Sequence, residues 1–475
     1  MRKFENQVQL IKHELLTEVA KHAFNGTLEE NLDQIPITVN PGPDEKYRCC
    51  IFHERAITSD RIKMVMGGHP EIKGIVEVLD SACDQCPVDR YVVTETCRGC
   101  LAHRCENACP VDAISICKGK AVIDQQKCIE CGKCKESCPY NAIADVMRPC
   151  RRDCPTNAIT IDHRKKAVIN YDECISCGAC VYNCPFGAIQ EKSEIVEVID
   201  MIQTPNQAVY AMLAPAFSAQ FNYVPLGNVI TGLKQLGFRD VIEVALGADL
   251  ITQHEAEELV QFKYNNKTLT SSCCPSFVEF VHKKFPELVD NISHTVSPMT
   301  ATARLIKSID PSAKVVFIGP CIGKKLEKIR VKDTDYVLTF EELAAMIDAK
   351  SIDLNALTPQ PLDNASYFGR KFASTGGVSS SVKHYLEDQG VVDLKLESCD
   401  GIEACSKALT LLKFNKSNVD FIEGMACKGG CIKGPATMHH GPKDIKALED
   451  YAKSALEATP KDALRVFDTT SISFI

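Results

Sequence analysis

Residues 128–143 read CIECGKCKESCPYNAI, in which four cysteines at the spacing C-x2-C-x2-C-x3-C are followed by a proline. A tight turn with this spacing can point three thiolates at one metal cluster, and the proline then turns the chain away. A zinc ribbon lacks the C-x2-C-x2-C triplet, so the spacing favours an iron–sulfur cluster over a zinc ion. The candidate ligands in this stretch are Cys128, Cys131, Cys134 and Cys138.

The pattern C-P-x-x-A-I that closes this stretch occurs in four copies, which begin at Cys109, Cys138, Cys154 and Cys184. The full motif recurs at Cys174, Cys177, Cys180 and Cys184, and a version with one longer spacing stands at Cys97, Cys100, Cys105 and Cys109. This repeat resembles the run of bacterial ferredoxins, whose fourth cysteine ligates the other of two clusters. We therefore expect tandem dicluster ferredoxin-like domains, the first at residues 81–145 and the second at 146–194.

Crossed pairing of these motifs predicts three accessory 4Fe–4S clusters. Their ligands would be Cys97, Cys100 and Cys105 with Cys138, then Cys128, Cys131 and Cys134 with Cys109, and then Cys174, Cys177 and Cys180 with Cys154. Cys150 and Cys184 remain as half of a fourth site, which the spare pair Cys83 and Cys86 would complete. Three alternatives stay open: Cys49 and Cys50 supply the missing ligands, Cys150 binds nothing, or Cys83 and Cys86 act with Cys97 and Cys100. The sequence thus predicts three or four accessory clusters.

Length and composition limit the class of protein. A chain of 475 residues is too long for one core, and we expect two or three domains. The 26 cysteines, in a chain without a recognisable export signal, favour metal binding over disulfides. The net charge of −8 and the lack of a basic block argue against nucleic acid as a partner. No apolar run is long enough to span a bilayer, so we expect no membrane partner and a cytoplasmic location.

The hydrophobic pattern of the sequence changes after residue 195, where short apolar runs alternate with amphipathic stretches. AVYAMLAP (208–215), KVVFIGPC (314–321) and VDFIEGMAC (419–427) predict buried strands, and cysteines follow two of them directly. Such an alternation is typical of α/β layers, in which ligands bind at the carboxyl ends of the strands. Residues 1–80 predict a mostly helical segment of unknown role, and its RCCIFHERAI stretch fits no motif.

Three cysteine loops carry a resemblance to a known family. SSCCPSF (271–277), GPCIGKKLE (319–327) and EGMACKGGCIKGP (423–435) resemble the signature loops of the iron-only (FeFe) hydrogenases, in the family's order. The resemblance implies a multidomain α+β and α/β protein, with a two-lobed α/β H-cluster domain at residues 195–475. The implied activity is reversible proton reduction and H2 oxidation. Electrons would pass through the 4Fe–4S clusters to or from ferredoxin or a similar redox carrier.

The resemblance also implies a cofactor and its ligands. The H-cluster joins a 4Fe–4S cube to a diiron unit that carries CO, cyanide and azadithiolate and that maturation proteins supply. Position by position, the cube's ligands would be Cys274, Cys321, Cys427 and Cys431, with Cys431 bridging to the diiron unit. Lys324 would donate to a cyanide, and the pocket wall would include Ala214, Pro215, Met425 and Phe372. The proton path would run through Cys273, Glu255, Ser293 and Glu258.

Several positions depart from the commoner family pattern and resemble its divergent group B. Phe262 stands where an arginine usually ends the proton path, so the exit must differ, with His254 and Glu257 as candidates. Other departures are Ala216, Phe277, Gly319 and Pro435. Two other functions stay open: an H2-sensing regulatory hydrogenase, and a hydrogenase-like iron–sulfur assembly protein without the diiron unit.

Three cysteines outside the motifs allow further expectations. Cys117 is expected to be a small buried hydrophobic residue, as free cysteines commonly are. Cys399 and Cys405 are either core residues or thiols placed next to the H-cluster.

Overall fold

The computed structural model describes residues 4–44, 46–470 and 472–475. The N-terminal segment is helical, as predicted, with α1 at Gln7–Phe24, α2 at Leu28–Asn31, α3 at Ile35–Val39 and α4 at Ile51–Val65. The side chain of Asn6 accepts a hydrogen bond from the Gln9 amide and so caps the first turn of α1.

The ferredoxin-like region consists of short antiparallel strand pairs and single-turn helices. Its strands are β1 Val76–Val78, β2 Tyr91–Val93, β3 Ile114–Cys117, β4 Lys120–Ile123, β5 Ile143–Asp145, β6 Ile159–Ile161, β7 Ala167–Ile169 and β8 Ile189–Glu191. Its helices are α5 Arg104–Asn107, α6 Lys133–Ser137, α7 Pro149–Arg152 and α8 Ala179–Tyr182. The pairs are β2 with β5, β3 with β4, β6 with β7, and β1 with β8. Strand β1 lies before the first predicted ferredoxin-like domain, and β8 lies at the end of the second. Their pairing therefore holds the segment before residue 81 against the end of the second domain.

The first lobe of the remaining chain is a four-stranded parallel sheet with the strand order β10-β9-β12-β13. Its strands are β9 Val209–Leu213, β10 Asp240–Glu243, β12 Lys314–Gly319 and β13 Tyr336–Thr339. The helices between residues 195 and 349 are α9 Ile195–Gln203, α10 Phe217–Gln220, α11 Leu226–Leu236, α12 Val244–Tyr264, α13 Pro275–Lys284, α14 Pro298–Ile309, α15 Gly323–Val331 and α16 Phe340–Ala349. A 3-10 turn covers Pro286–Asn291.

The second lobe is a three-stranded parallel sheet with the order β11-β15-β14. Its strands are β11 Leu269–Thr270, β14 Leu396–Asp400 and β15 Phe421–Met425. Its helices are α17 Tyr367–Lys371, α18 Gly377–Asp388, α19 Ile402–Lys413, α20 Asp444–Lys453 and α21 Pro460–Leu464. Two sheets with helices around them confirm the predicted two-lobed α/β architecture. The long helix α12 packs against both α14 and α18, and so joins the lobes.

The N-terminal helices share a core with the first lobe. Helix α1 packs against α16 and α9, and its Leu16 and Val19 are buried in the same apolar cluster as the strands β9 and β12. Lys12 of α1 makes ion pairs with Glu191 at the end of the ferredoxin-like region and with Glu341 of α16. This charge contact links the three parts of the chain.

Two further sequence expectations concern membrane-spanning helices and the burial of Cys117. No helix among the described residues has the length and apolar character needed to cross a membrane. The expectation that Cys117 is buried was wrong: it is exposed, because it ends β3 beside the hairpin turn at Lys118 and Gly119.

Candidate active site and metal centres

The two sheets direct four cysteines to one place. Cys321 follows β12, Cys427 and Cys431 follow β15, and Cys274 follows β11 and begins α13. Parallel strands bring their carboxyl ends to one edge, where ligands commonly bind. Burial, and then the nearby Cys274, raise the pKa of Cys321 to about 11.

These four thiols fit a multi-iron cluster. As thiolates without a metal they would repel one another, since burial and then the charges of Cys321, Cys274 and Cys431 raise the pKa of Cys427. A bound cation reverses this effect and deprotonates its thiol ligands. In the described parts of the chain, no three His, Cys, Asp or Glu side chains converge on a single ion. A 4Fe–4S cube requires no such convergence, because each of its irons takes one thiolate.

A small cavity of about 70 Å³ lies against three of these cysteines, Cys274, Cys321 and Cys431. Its wall is mostly apolar and contains every residue that the sequence analysis assigned to the diiron pocket. These residues are Ala214, Pro215, Met425, Phe372, Cys273 and Lys324. The structure therefore joins all three signature loops and the two further pocket segments around one space.

Gly319 and Phe317 explain one departure from the commoner family pattern. A Cβ atom on Gly319 would meet the ring of Phe317 at 2.6 Å and the Cβ of Ala214 at 3.0 Å. The ring thus takes up space that a larger side chain at residue 319 would need, and it lines the cavity itself. Gly424 has the same relation to Phe277, whose ring lies 2.3 Å from the position of the missing Cβ. Two of the divergent residues, Gly319 and Phe277, thus each belong to a matched pair of a glycine and an aromatic ring.

Lys324 lies in the first turn of α15 with only 10% of its side chain exposed. Its Nζ donates to the carbonyl of Cys273 at 3.2 Å and pairs with Oε2 of Glu327 at 2.6 Å. Burial opposes the charge of the ammonium, but Glu327, with smaller contributions from Cys321 and Cys273, more than offsets burial, and the pKa of Lys324 is raised. Glu327 also accepts hydrogen bonds from Ser297 and Thr300, which fix its position. The result is an ammonium group held charged in the wall of an apolar cavity.

Glu255 is a carboxyl group buried without a partner. It lies on α12 with 1% of its surface exposed, and neither of its oxygens has a hydrogen-bond partner among the described residues. Burial raises its pKa to about 8, with smaller contributions from Glu258 and Glu423. Burial also raises the pKa of Cys273, and Glu255 makes the largest contribution to this rise after burial. The two predicted proton carriers therefore influence each other electrostatically, and Cys273 borders the cavity.

Ser293 and Glu258 form the outer half of the predicted path. The Ser293 hydroxyl donates to Oε2 of Glu258 at 2.6 Å, and 14% of the Glu258 side chain is exposed. No direct hydrogen bond joins Glu255 to Ser293, because both Glu255 oxygens lack partners among the described residues. A bridging water is the usual solution between buried polar groups of this kind.

The side chains of the two exit candidates from the sequence have polar or ring partners other than Glu258. The ring of His254 packs against Phe474 with 5.3 Å between centroids, and Glu257 accepts a 2.8 Å hydrogen bond from Gln253. His294 lies at Glu258 instead, with Nδ1 2.6 Å from Oε1. Sequence reasoning missed this residue, and its one signal was its position next to Ser293.

The predicted ligands of three accessory clusters line three separate small cavities in the expected crossed combinations. The first cavity is bordered by Cys97, Cys100, Cys105 and Cys138, the second by Cys109, Cys128, Cys131 and Cys134, and the third by Cys154, Cys174, Cys177 and Cys180.

The C-P-x-x-A-I repeat has a common geometry in all four copies. The backbone amide of the alanine donates to Sγ of the cysteine four residues earlier, at 3.2, 3.4, 3.2 and 3.2 Å. The residue before each alanine has a positive φ, between 49° and 58°, and these residues are Asp112, Asn141, Asn157 and Gly187. Asp, Asn and Gly tolerate this left-handed conformation best, which explains their use at this position. The turn aims a backbone amide at the sulfur in every copy of the repeat.

The candidates for the fourth site are also brought together. Burial, and then Cys184, Cys86 and Cys83 in turn, raise the pKa of Cys150 to about 12. The Sγ of Cys83 accepts hydrogen bonds from the Ala167 amide at 3.4 Å and from the Arg148 guanidinium at 3.8 Å. The fourth cluster stays a prediction, for which the structure supplies four neighbouring thiols.

The alternative ligands for that site face elsewhere. Cys49 donates a 3.1 Å hydrogen bond to Glu54 and lies 3.3 Å from Nδ1 of His53, and Cys50 is exposed. Cys49 thus has its own partners on α4.

The candidate sites follow one another through the protein. Cys177 and Cys427 line the same large cleft, so the third accessory site adjoins the cubane site of the signature loops. Cys150 and Cys180 belong to one packed core, and Arg151 pairs with Glu130 at 2.9 Å. These contacts place the fourth site next to the third, and the first dicluster unit beyond it.

Cys399 and Cys405 are both buried, at the end of β14 and in α19. A hydrogen bond with Cys399, and then burial, raise the pKa of Cys405, with a smaller contribution from Cys274. The two thiols lie in one apolar core, against which Cys274 also packs.

Comparisons with known proteins match this chain to hydrogenase and iron–sulfur cluster-binding families. Residues 207–435 match the family model described as iron only hydrogenase large subunit, C-terminal domain. Residues 121–144 match a 4Fe-4S binding domain, and 142–195 match the LdpA Fe-S cluster-binding domain.

Iron hydrogenase 1 of Clostridium pasteurianum is 31% identical over 383 residues, which are 69% of this chain and 66% of that protein. The periplasmic [Fe] hydrogenase large subunit of Nitratidesulfovibrio vulgaris is 30% identical over 66% of this chain and 85% of its own length. A zebrafish (Danio rerio) protein named cytosolic Fe-S cluster assembly factor narfl is 24% identical over 49% of this chain and 72% of its own length.

The fold and its cysteine-lined sites define an iron–sulfur protein with a two-lobed α/β domain. The matched family model, together with the relative matched over 85% of its length, assigns the chain to the iron-only hydrogenase family.

Proposed function

We propose that the protein is a hydrogenase that catalyses reversible proton reduction and H2 oxidation at an H-cluster. One observation carries the proposal. An apolar cavity lies against three of the four convergent cysteines, and its wall contains both Cys273 and the buried ammonium of Lys324. A protein that held only cubanes would not need this space or these groups.

The residues present fit the proposed cofactor. Cys274, Cys321, Cys427 and Cys431 would hold the cube, and the apolar cavity beside Cys431 would take the diiron unit. When bound, this group supplies the redox chemistry that combines two protons and two electrons into H2. The wall residues exclude water, which strengthens every electrostatic interaction inside. Lys324 offers a fixed donor to an anionic ligand such as cyanide.

The chain's own groups would move the protons. Cys273 borders the cavity and adjoins Glu255, whose raised pKa keeps it largely protonated at neutral pH. A carboxyl group without a hydrogen-bond partner is free to exchange a proton with a thiol on one side and a water on the other. Ser293 and Glu258, joined at 2.6 Å, would carry the proton further.

The accessory sites would move the electrons. Four neighbouring cysteine groups in sequence support a path from the cubane site to the first dicluster unit, where ferredoxin or a similar carrier would exchange electrons. The ligands of this path are the cysteines predicted from the repeat, with Cys83, Cys86, Cys150 and Cys184 as the fourth set.

A second candidate function comes from the assembly-factor relative. An iron–sulfur assembly protein of this fold would keep the cubanes and lack the diiron unit. The cavity with Cys273 and Lys324 weighs against this reading, since it would then have no occupant.

Infrared spectroscopy and iron analysis on the anaerobically matured full chain separate the two candidates. A hydrogenase should show CO and cyanide bands, about 22 irons per chain, and H2 evolution from a reduced carrier. Absence of the bands after maturation, in a chain with full cubane content, would favour the assembly protein. Cys431→Ser should lose the bands, whereas Cys117→Ser, at an exposed position outside every site, should keep them. Bands with slow turnover would favour the H2-sensing alternative.

A further inference from the structure

We propose that His294 is the outermost proton carrier of this protein and exchanges protons between Glu258 and solvent. The inference rests on the proposed function and adds to it the exit that the sequence left open.

The contacts of His294 support this role. Its Nδ1 lies 2.6 Å from Oε1 of Glu258, while 66% of its side chain is exposed. Its backbone amide also donates to Glu258, at 3.1 Å to Oε1 and 3.2 Å to Oε2. The backbone thus holds the ring beside the carboxylate on one side, and the other side of the ring faces water.

Ser293 and His294 contact different carboxylate oxygens of Glu258. Ser293 donates to Oε2 from the buried side, and the His294 ring contacts Oε1 from the exposed side. One carboxylate thereby connects a buried hydroxyl with an exposed imidazole. A proton can cross it by binding to one oxygen and leaving from the other.

Other groups on α12 do not offer this route. His254 packs on Phe474, Glu257 bonds to Gln253, and Phe262 has no polar atom in its side chain. In the part of the chain that the structure describes, Glu258 is the charged group that makes a hydrogen bond or ion pair with the His294 ring. The segment after His294 is held by a backbone bond from Val296 to Phe474, which brings no charge to the ring.

The proton balance follows from imidazole chemistry. A water or buffer acid protonates Nε2, and the ring then releases its Nδ1 proton to the Glu258 carboxylate. The ring is left neutral with a proton on Nε2. Because the ring is exposed, it can then gain a solvent proton at Nδ1 and lose one from Nε2 to solvent, which restores the starting tautomer. In the direction of H2 oxidation the same steps run in reverse. Imidazole accepts and releases protons near neutral pH more readily than other side chains.

The test uses the buried carboxyl of Glu255 as a reporter. The protonated group has an infrared C=O band that shifts when deuterium replaces the proton. The matured full chain is mixed with D2O without H2 at pH 7, and the rate of that shift is followed. His294→Leu should slow deuteration by about tenfold or more, as expected for the loss of a positioned acid–base group. His254→Leu, an equally small change at a nearby histidine, is the matched control and should leave the rate unchanged.

Two further variants distinguish proton transfer from a structural effect. Free imidazole should restore the rate in His294→Ala and have no effect on wild type. Glu258→Gln should be slow on its own, and adding His294→Leu to it should bring no further loss, because both residues act in one path. Equal deuteration rates in wild type and His294→Leu, or no imidazole rescue, would overturn the proposal.

This test is independent of the proposed function. The Glu255 band exists whether or not the diiron unit is present, so a chain without CO and cyanide bands still reports on His294. Failure of the proposed function and failure of the relay thus give different results.

Discussion

Cys273 lies close enough to Glu255 for the carboxylate to add to the rise that burial causes in the pKa of the thiol. The neighbouring Cys274 points to the cubane site, since it raises the pKa of Cys321, after burial. Two adjacent cysteines therefore face different partners: one a group of thiols, the other a buried acid. In the proposed function, the SSCCPSF loop would separate a metal ligand from a proton carrier within two residues.

We expect Cys273→Ala to lower H2 turnover by about a hundredfold or more, because the acid–base group at the cavity is lost. Iron content and the CO and cyanide bands should not change, since Cys273 is not among the predicted ligands. Cys117→Ala is the control for cysteine loss in general and should behave like wild type. Full turnover in Cys273→Ala would contradict the proton path.

The buried Glu255 should make the stability of the protein fall as pH rises. Its folded pKa of about 8 is above the ordinary glutamate value of 4.5, so the folded state binds the proton more tightly than the unfolded state. The stability linked to this proton is fully present below pH 4.5 and is lost as pH rises towards 8. Glu255→Gln, which mimics the neutral acid, should therefore gain apparent Tm relative to wild type progressively between pH 5 and 8.

Glu257→Gln, on the exposed side of the same helix, should show no such trend. Thermal unfolding of the cluster-loaded chain at several pH values measures both. A constant difference between Glu255→Gln and wild type across this range would show that Glu255 has no raised pKa.

The fourth accessory site makes a prediction about iron content. Cys83→Ser should lower the iron content from about 22 to about 18 per chain, because one four-iron cluster would be lost. Cys49→Ser should keep the full amount, since Cys49 bonds to Glu54 on α4. Electron paramagnetic resonance of the reduced proteins checks which signal disappears. Equal iron in both variants would return Cys150 and Cys184 to the status of unliganded thiols.

The sequence predicted the fold, and the structure brings together most of the residues predicted for the site, because both depend on local patterns. Ferredoxin spacing specifies a turn whose thiols must converge, and cysteines that follow parallel strands must meet at one sheet edge. The proposed exit from the proton path depends instead on a contact across 36 residues, between Glu258 and His294. No local pattern specifies such a contact, so the sequence named His254 and Glu257, on the same helix, as exit candidates and did not name His294.

Exposure of Cys117 shows the same limit. A general tendency of free cysteines to be buried does not account for a residue at the end of a two-stranded hairpin. The glycine and aromatic pairs were also beyond sequence reasoning: Gly319 and Phe317 are separated by one residue, but their fit depends on the ring's orientation in the folded wall.

The repeat geometry gives a final prediction, at Asn157. This residue has a φ of 57° and precedes Ala158, whose amide donates to Sγ of Cys154 at 3.2 Å. A β-branched side chain clashes in this conformation, so Asn157→Val should destabilise the turn by about 1–2 kcal/mol. Asn157→Gly should cost much less, as Gly187 at the same position of the last copy suggests. The rate of cluster loss to a chelator, read by visible absorbance, should rise in the valine variant alone; equal rates in both variants would show that the left-handed turn does not stabilise this site.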